Sequence, residues 1–471
     1  MTASPIRSPD RSGRAPGIPA SPTRHELLSG WGRTAPSGAT VARPRSAEAI
    51  AALLRSAPPR GVIARGAGRS YGDAAQSSGG LVLDLTALPP NRTINAETGL
   101  VTAAAGVTLD ALTRDLVPRG WFVPVTPGTR YVTLGGAVAA DIHGKNHHVA
   151  GSFASHVRAI VLALPSGELR RVTPEDDPAL FWATAGGMGL TGVILEVTFQ
   201  AKAVPSSRIR VDTERATDLE DVLARMEARD ADYTYSVAWI DLLAKGRQLG
   251  RSVLTRGDFA APEELSSRQR SDPHAYAPKV RLAAPPWVPP HLLNGLTVRA
   301  FNELWFRKAP VEKRGQIQSL PAFFHPLDGI SRWNTLYGAR GFVQYQFVVP
   351  FGAEKALRVA VEKLSSAGSA SFLAVLKRFG EGNPGPLSFP MPGWTLALDL
   401  PAESSGLVPL FNELDELVME AGGRVYLAKD AVLRPQHLSR MYPRLDEWRQ
   451  VRRSVDPGGA LRSDLARRLE L

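Results

Sequence analysis

Three segments rich in glycine and other small residues constrain how this 471-residue chain folds. They are residues 65–73 (RGAGRSYGD), 124–148 (PVTPGTRYVTLGGAVAADIHGKNHH) and 183–194 (ATAGGMGLTGVI). Glycine lets backbone amides gather around an anion, and small residues let the backbone approach a flat ligand closely. The first segment alone is a weak signal, because it lacks the third, helix-opening glycine of the Rossmann fingerprint. Together, the three segments predict one extended dinucleotide held between loops.

The rest of the pattern predicts an α+β fold with two domains. Residues 1–23 are rich in Pro, Ser, Gly and Arg and read as a disordered tail. Residues 24–200 combine short strands, helices and glycine turns, with Thr108 and Asp177 as expected helix N-caps. Residues 201–423 suggest a second domain on an antiparallel sheet. The helix-rich residues 424–471 are expected to return to the first domain.

Composition narrows the classes of partner. The 56 Lys and Arg exceed the 45 Asp and Glu, giving a net charge of +11 that favours phosphate, an acidic membrane surface or nucleic acid. A solvated basic surface is an equally good reading. The basic residues are scattered rather than arranged in stripes, which disfavours nucleic acid. Cysteine is absent, so disulfides, thiolate nucleophiles and cysteine-based metal sites are excluded.

Membrane contact, if it occurs, is expected to be peripheral. No apolar stretch approaches the roughly 18 residues that span a bilayer, and the N-terminus lacks the apolar region of a secretory signal. The basic residues 268–281 and the apolar residues 285–293 (PPWVPPHLL) are expected to dock on lipid headgroups. The side of the membrane stays open.

Residues 141–148 (DIHGKNHH) place three histidines, a lysine and an aspartate close together. A metal site, a proton relay and a loop that presents polar groups to a cofactor are all conceivable. A metal needs converging ligands, and Gly144 argues against the helix that would bring His143 and His147 together. We therefore predict no metal here.

The motifs GRSYGD and PGTRYVTLGGAVAADIHGKNHH resemble the FAD-binding half (PCMH type) of the vanillyl-alcohol-oxidase flavoenzymes. Within that family, GWGRTAPS, FNELWFRKAP, QYQF, PLSFPMPGW, AKD and MYPRLDEW are similar, in the same order, to the decaprenylphosphoryl-β-D-ribose 2-oxidases. The resemblance runs from about residue 27 to the C-terminus. It implies an FAD-dependent oxidation of the 2-hydroxyl of decaprenylphosphoryl-β-D-ribose to the 2-keto intermediate. A separate NADH-dependent short-chain reductase would complete epimerisation to the arabinose donor for cell-wall arabinan.

The resemblance also implies which residues contact FAD. They are Lys429 and residues of the three glycine-rich segments, namely Arg65, Gly66, Ala67, Gly68, Arg69, Ser70, Tyr71, Pro127, Gly128, Thr129, Thr133, Gly135, Gly136, Ala139, Ala140, His143, Gly144, Asn146, His147, Gly189, Gly192 and Ile194. Relatives with covalent flavin often carry histidine at the position of Arg69. Arginine cannot form that bond, so FAD is expected to be non-covalent.

The catalytic candidates are Lys429, His143 and Tyr71. Lys429 could accept the hydroxyl proton or act as a fixed cation, and Tyr71 is a second candidate for proton transfer. Strand alternation places Gln344 with Gln346, and Lys377 with Phe379, on common faces. The full set expected to contact substrate is Lys145, Gln344, Gln346, Lys377, Phe379, Trp239, Phe324, Thr395 and Ala397.

Three of these positions depart from the mycobacterial members of the family. Those members carry cysteine at the position of Ala397, asparagine at Thr395 and tyrosine at Phe324, and nitroaromatic inhibitors trap the cysteine. Hydride chemistry does not need that cysteine, so turnover is expected and covalent trapping is not.

Two other functions remain as alternatives. An FAD oxidase of a soluble sugar, alditol or aldonolactone usually carries a His-Trp-x-Lys signature near the C-terminus, which this chain lacks. A non-catalytic, basic anion-binding module would leave the three glycine-rich segments unexplained.

Overall fold

The computed structural model describes residues 22–280, 282–285, 294–368, 371, 373–404 and 406–471. Nearly all of the predicted tail, and all but the first residue of the apolar segment 285–293, therefore lie outside the described residues. In the part of the chain that is described, no helix combines the length and apolar character needed to cross a membrane.

The strands of the N-terminal part form two principal sheets. Strands β1 to β11 cover Thr23–Leu28, Ser37–Ala42, Val62–Arg65, Leu81–Asp84, Arg92–Ile94, Leu100–Ala104, Trp121–Phe122, Val157–Ala163, Leu169–Val172, Val193–Gln200 and Lys202–Ala203. The order β1-β2-β4-β3 makes a mixed sheet in which β4 is parallel to both β2 and β3. The order β5-β6-β10-β8-β9 makes an antiparallel sheet, and β7 pairs with β11.

One large antiparallel sheet dominates the second part. Strands β12 to β21 cover Arg208–Ala216, Tyr235–Ile240, Ser252–Phe259, Leu282–Ala283, Glu312–Ser319, Ile330–Ser331, Phe342–Pro350, Ala374–Phe379, Gly393–Pro401 and Arg424–Val425. Eight of them pair in the order β16-β12-β14-β13-β19-β20-β18-β21. The short strands β15 and β17 pair with each other. The two-domain α+β fold is thereby confirmed.

Fourteen α-helices are present in the described residues. Helices α1 to α14 cover Ala47–Arg55, Leu109–Leu116, Leu134–Ala139, His147–Ala150, Pro178–Thr184, Leu219–Arg229, Ser267–Arg270, Gly295–Lys308, Leu320–Phe324, Glu354–Ser366, Leu407–Glu420, Pro435–Met441, Leu445–Val455 and Asp464–Leu469. The expected caps are confirmed, since Thr108 accepts from Ala111 N and Asp177 accepts from Leu180 N. Each cap satisfies one backbone donor that the first helical turn leaves free.

Strand β20 explains how the large sheet separates a core from a cavity. Side chains alternate across a strand, so Leu396, Leu398 and Leu400 share one face. That face packs in a hydrophobic core with residues of α10 and α11 such as Leu357 and Phe411. The other face carries Thr395, Ala397 and Asp399, and it turns toward the glycine-rich segments.

The C-terminal helices contact the N-terminal part of the chain. Arg468 pairs with Asp73 at 2.8 Å, and the indole nitrogen of Trp448 donates to Ala183 O at 2.9 Å. These contacts brace the first and third glycine-rich segments from outside.

Candidate active site

A cavity of about 760 Å³ lies between the first two glycine-rich segments and the open face of the large sheet. The sheet contributes alternate residues from its strands, because every second side chain points into the cavity. These residues are Thr213, Val237, Trp239, Val253, Thr255, Gln316, Gln318, Gln344, Gln346, Val375, Lys377 and Ala397. The opposite wall comes from the first two glycine-rich segments, and Tyr426, Ala428 and Lys429 close one side.

Two glycines allow the functional segments to touch. A Cβ added at Gly66 would overlap the hydroxyl of Thr133, so glycine lets the first segment pack on the second. A Cβ added at Gly72 would overlap the carbonyl oxygen of Asp430, so glycine also lets the first segment pack beside Lys429. The amide of Tyr71 donates to Ala428 O at 3.0 Å and fixes that approach.

Arg69 presents a half-buried positive charge at the glycine-rich wall. Its guanidinium lies 3.9 Å from the ring centre of Trp31 and 5.3 Å from that of Tyr131, as expected for cation–π contacts. Its Nε is buried and has no hydrogen-bond partner among the described atoms. The group is therefore held in place by rings while part of its donor capacity stays unused.

Asp141 organises the loop that carries the three histidines. Its buried carboxylate accepts from the hydroxyls of Ser152 and Ser388, the amide of Asn383 and the backbone of Ala154, at 2.5–3.0 Å. It thus ties the loop to residues 383–388 of the second part. Burial raises the pKa of this carboxyl and the hydrogen bonds oppose that rise.

His143 enters the cavity as a neutral ring. Burial first, and then the positive charge of Lys377, lower its pKa well below the usual value. Gln346 Nε2 donates to His143 Nε2 at 2.9 Å, so the proton of the neutral ring sits on Nδ1. That Nδ1 and the side-chain oxygen of Gln346 are buried and unpartnered in the described structure, which leaves a donor and an acceptor for a ligand.

Three lysines converge on the same cavity. Burial lowers the pKa of Lys145 to about 7 and that of Lys377 to about 7, and it lowers the pKa of Lys429 to about 8. Lys377 is lowered further by the charges of Lys429 and Lys145. Lys145 also donates to Phe323 O and lies 4.3 Å from that ring's centre. An anionic ligand would restore the charged forms of these amines.

A polar chain connects Lys429 to the interior of the large sheet. Lys429 Nζ donates to Gln344 Oε1, and Gln344 Nε2 donates to Asp399 Oδ1. Burial raises the pKa of Asp399 to about 7, and Asp399 in turn raises the pKa of Lys429. Lys429 Nζ also lies 4.8 Å from the ring centre of Tyr71, whose own pKa burial raises well above its usual value.

These observations fit FAD. The glycine-rich wall offers close backbone approach, and the unpartnered Arg69 Nε offers a polar contact. The positive charge of Arg69 matches a pyrophosphate, and the amine of Lys429 matches the negative charge of a reduced isoalloxazine. Among the described residues, no cluster of three or more His, Asp or Glu could hold a metal ion.

Most of the expected site residues line the cavity. Those are Lys429, His143, Tyr71, Lys145, Gln344, Gln346, Lys377, Trp239, Phe324, Ala397, Gly66, Ala67, Gly68, Arg69, Ser70, Pro127, Gly128, Thr129, Thr133, Gly136, Ala140 and Gly144. Phe379 and Thr395 lie just behind, where Phe379 packs on His143 and Thr395 accepts from Gln346 Nε2 at 3.1 Å.

Eight expected cofactor contacts lie outside the cavity lining, among them every one in the third glycine-rich segment. Arg65 donates to Ser29 O and Ala75 O, and Asn146 donates to Pro124 O. The ring of His147 packs 4.4 Å from that of Phe379, and its Nδ1 accepts from Gly380 N. The other five are Gly135, Ala139, Gly189, Gly192 and Ile194, of which Gly135 packs on Ala105 and Ile194 joins a hydrophobic core.

Several residues of the site were missed by sequence reasoning. Gln316 and Gln318 of β16 repeat the Gln-x-Gln alternation of β18, a signal that was available in the sequence. Asp399 is a lone carboxylate in an apolar strand, which is also a recognisable signal. Trp31, Phe323, Trp333 and Tyr426 gave no such signal, because aromatic residues are usually structural.

Two protein families match parts of the chain that contribute to the cavity. The FAD binding domain family matches residues 38–173, which include the first two glycine-rich segments. The D-arabinono-1,4-lactone oxidase family matches residues 401–469, which include Lys429.

Individual relatives extend these matches. The decaprenylphosphoryl-β-D-ribose oxidase of Mycolicibacterium smegmatis is 46% identical over 455 residues, covering 96% of this chain and 98% of that protein. An uncharacterized protein of Streptomyces coelicolor is 44% identical over 374 residues, covering 78% of this chain and 100% of its own. An L-gulono-1,4-lactone dehydrogenase of Mycobacterium tuberculosis is 29% identical over 177 residues, covering 37% of this chain and 40% of its own.

Proposed function

The chain belongs to the family of decaprenylphosphoryl-β-D-ribose oxidases, FAD-dependent oxidoreductases, and we propose that it oxidises the 2-hydroxyl of a polyprenylphosphoryl-β-D-ribose to the 2-keto sugar. Bound FAD supplies the acceptor for the hydride that leaves carbon 2 of the sugar. The protein must then orient the sugar, take the hydroxyl proton and hold the phosphate.

We assign Lys429 as the group that accepts the proton of the 2-hydroxyl. An amine with a pKa of about 8 is partly neutral near physiological pH, so its Nζ can accept the 2-hydroxyl proton. Gln344 holds the amine in place, and Asp399 stabilises the ammonium that forms. Tyr71 keeps its own proton because of its raised pKa, and it serves as a hydrogen-bond donor beside Lys429.

The other cavity residues bind the sugar and the phosphate. His143 and Gln346 present a neutral donor and acceptor pair that suits sugar hydroxyls. Lys145 and Lys377 supply charge for the phosphate, and Trp239, Phe324 and Ala397 supply apolar walls. The observation that best supports this proposal is that the glycine-rich wall and the side chains of Lys145, Lys377 and Lys429 face one cavity.

The visible spectrum tests this proposal. The purified protein, reconstituted with FAD if necessary, should show a flavin spectrum that bleaches anaerobically with farnesylphosphoryl-β-D-ribose, a short-chain substrate. Lys429→Met should keep the flavin and lose most of the bleaching rate. A flavin spectrum that this substrate leaves unchanged would contradict the proposed substrate, and no flavin after reconstitution would contradict the oxidase reading.

The substrate implies two partners. A polyprenyl lipid resides in a membrane, so we propose peripheral membrane contact, on a side that stays open. The 2-keto product requires a reductase to complete epimerisation, and we propose a separate NADH-dependent short-chain reductase. Adding that reductase with NADH should convert the ribose lipid to the arabinose lipid, whereas either protein alone should not.

One observation favours a second substrate class. The D-arabinono-1,4-lactone oxidase family matches residues 401–469, which surround Lys429. An uncharged lactone would leave the charges of Lys145 and Lys377 without a counterpart, so the phosphorylated sugar is preferred. If D-arabinono-1,4-lactone bleaches the flavin and the ribose lipid does not, the lactone would be the preferred substrate class instead.

A further inference from the structure

The exposed large apolar side chains of the described residues are concentrated in the stretch of sequence that contains helix α8. Of the thirteen large apolar side chains that are exposed in the described residues, seven fall between Val280 and Val311. They are Val280, Leu282, Leu296, Phe301, Leu304, Trp305 and Val311. Scattered exposed apolar residues need no explanation, but a concentration of this kind indicates a surface that something covers.

Helix α8 is attached to the protein by one narrow face. Val298 is buried, and Asn302, one turn later, donates to Asp241 Oδ1 at 2.7 Å. Arg251 pairs with Glu303 at 2.7 Å on the same side. An ordinary surface helix would turn its large apolar residues toward the core at this point.

The outward side of α8 instead carries four large apolar residues, Leu296, Phe301, Leu304 and Trp305. Leu296 is 78% exposed and Leu304 is 68% exposed. The rings of Phe301 and Trp305 stack with their centres 6.1 Å apart, so the helix displays a rigid aromatic pair beside the leucines. Aromatic and leucine side chains on one face of a helix are typical of helices that lie in a membrane interface.

The C-terminal end of the same helix reaches the cavity. Trp305, Lys308, Ala309 and Pro310 belong to the cavity lining. The outer face of α8 therefore adjoins the cavity, as entry of a ligand with an apolar tail requires.

The charged residues of α8 favour a membrane with anionic headgroups. Its sequence GLTVRAFNELWFRK has three basic residues, Arg299, Arg307 and Lys308, against the single acid Glu303. Basic residues beside an apolar face favour anionic headgroups, at roughly 1 kcal/mol for each residue near the surface. The chain as a whole carries +11, which disfavours a second copy of itself as the partner.

We propose that the outward face of α8 docks on an anionic bilayer, with Leu296, Phe301, Leu304 and Trp305 inserted among the lipids. This surface orients the cavity mouth toward the membrane, so that the phosphoryl sugar enters the site while the prenyl chain stays in the lipid. The inference rests on the proposed lipid substrate and names the surface that reaches it.

Vesicle co-sedimentation of the FAD-loaded, full-length protein tests the inference. The vesicles are phosphatidylcholine with and without phosphatidylglycerol. The double variant Leu296→Gln/Leu304→Gln removes two apolar groups without touching the cavity lining. The matched control, Leu27→Gln/Val408→Gln, removes two leucine- or valine-sized groups that are 73% and 55% exposed elsewhere. We expect the first variant to partition roughly tenfold less into phosphatidylglycerol vesicles, and the control to behave as the parent protein.

Soluble-phase measurements separate the possible outcomes. Bleaching by farnesylphosphoryl-β-D-ribose in free solution should be the same in the α8 variant and the parent protein. If both proteins fail to bleach but the α8 variant still binds vesicles more weakly than the parent protein, the docking surface is supported and the proposed substrate is contradicted. Unchanged vesicle binding by the α8 variant would overturn the inference. A change in oligomeric mass by light scattering, without a change in vesicle binding, would overturn it in favour of a second copy.

Discussion

Lys429 donates a hydrogen bond from its Nζ to the side-chain oxygen of Gln344. The amide nitrogen of Gln344 donates in turn to the buried carboxylate of Asp399. Gln344 thus links the amine of Lys429 to the negative charge of Asp399, although the two groups are not in direct contact. The protonation of the proposed catalytic amine therefore depends on a residue inside the large sheet.

The first prediction concerns that dependence. Asp399 raises the pKa of Lys429, and burial lowers it to about 8. Asp399→Asn removes the opposing charge, so the pKa of Lys429 should fall. If neutral Lys429 accepts the proton, the rate rises with pH through that pKa, and the half-maximal rate of Asp399→Asn should move to lower pH. The rate of anaerobic flavin bleaching measured against pH checks this.

Asp415→Asn is the matched control for this prediction. Asp415 is also a buried carboxyl with a pKa near 7, and it accepts from Tyr345 on the other face of β18. The Asp415→Asn substitution should not shift the pH dependence of the bleaching rate. A rate that falls as pH rises through about 8 in the parent protein would instead make Lys429 a fixed cation.

The second prediction concerns Lys145 and Lys377, which burial leaves with pKa values of about 7. A bound phosphate favours the ammonium forms, so binding takes up protons. Affinity for farnesylphosphoryl-β-D-ribose should therefore weaken as pH rises above neutrality. Lys377→Met should weaken binding about tenfold or more and flatten this pH dependence. Titrations of the flavin spectrum at several pH values measure both effects.

Lys202→Met serves as the control for the phosphate test. Burial lowers the pKa of Lys202 as well, but this lysine lies beside Tyr235 and Phe259, outside the cavity lining. Its replacement should change neither the affinity nor its pH dependence. Equal losses in Lys202→Met and Lys377→Met would refute a specific phosphate contact.

The third prediction is that the flavin is not covalently attached. Arg69, at the position of the usual attachment histidine, stacks on Trp31 and cannot form the bond. Acid precipitation of the yellow protein should leave the colour in the supernatant. A fluorescent band on a denaturing gel would contradict this, and peptide mapping would then identify the attachment residue.

The fourth prediction uses the absence of cysteine from the chain. Ala397 lines the cavity on β20, so Ala397→Cys introduces a single thiol inside the site. Intact mass spectrometry should show slow alkylation of this variant by iodoacetamide, and substrate should protect it. Leu27→Cys, on the surface, should react quickly and without protection. Substrate-independent labelling of both variants would place Ala397 outside the substrate path. Nitroaromatic inhibitors should form an adduct during turnover with Ala397→Cys and not with the parent protein.

The fifth prediction concerns the brace that holds Lys429 against the first glycine-rich segment. Arg468 pairs with Asp73 and with Asp430, each at 2.8 Å, and its side chain is 24% exposed. Arg468→Ala should lower the free energy of unfolding by about 2 kcal/mol, less than for a fully buried pair. It should also speed the loss of FAD during gel filtration. Urea unfolding followed by tryptophan fluorescence measures the first effect.

Arg453→Ala is the control for the brace. Arg453 is exposed and donates to Arg449 O within its own helix, so its removal should change stability by less than about 0.5 kcal/mol. A comparable loss from both substitutions would show that the Arg468 pairs contribute nothing specific.

Local sequence rules captured the parts of the site that depend on short-range periodicity. Gln344 and Gln346 had to share a face because a strand repeats every two residues, and both line the cavity. Thr108 and Asp177 had to cap helices because the first turn needs an acceptor. The same rules could not separate Gly66, which lines the cavity, from Gly135, which packs on Ala105. That difference depends on which side of the loop faces the sheet.

By itself, the sequence predicted the fold class and the glycine-rich wall, because backbone freedom, strand period and side-chain type are local properties. Its resemblance to a known family supplied the candidate catalytic residues. Only the tertiary structure decided that Asp399 reaches Lys429 through Gln344, and that Lys145, Lys377 and Lys429 share one buried cavity. Their lowered pKa values follow from burial. Burial arises from packing between segments hundreds of residues apart, and no short stretch of sequence contains it.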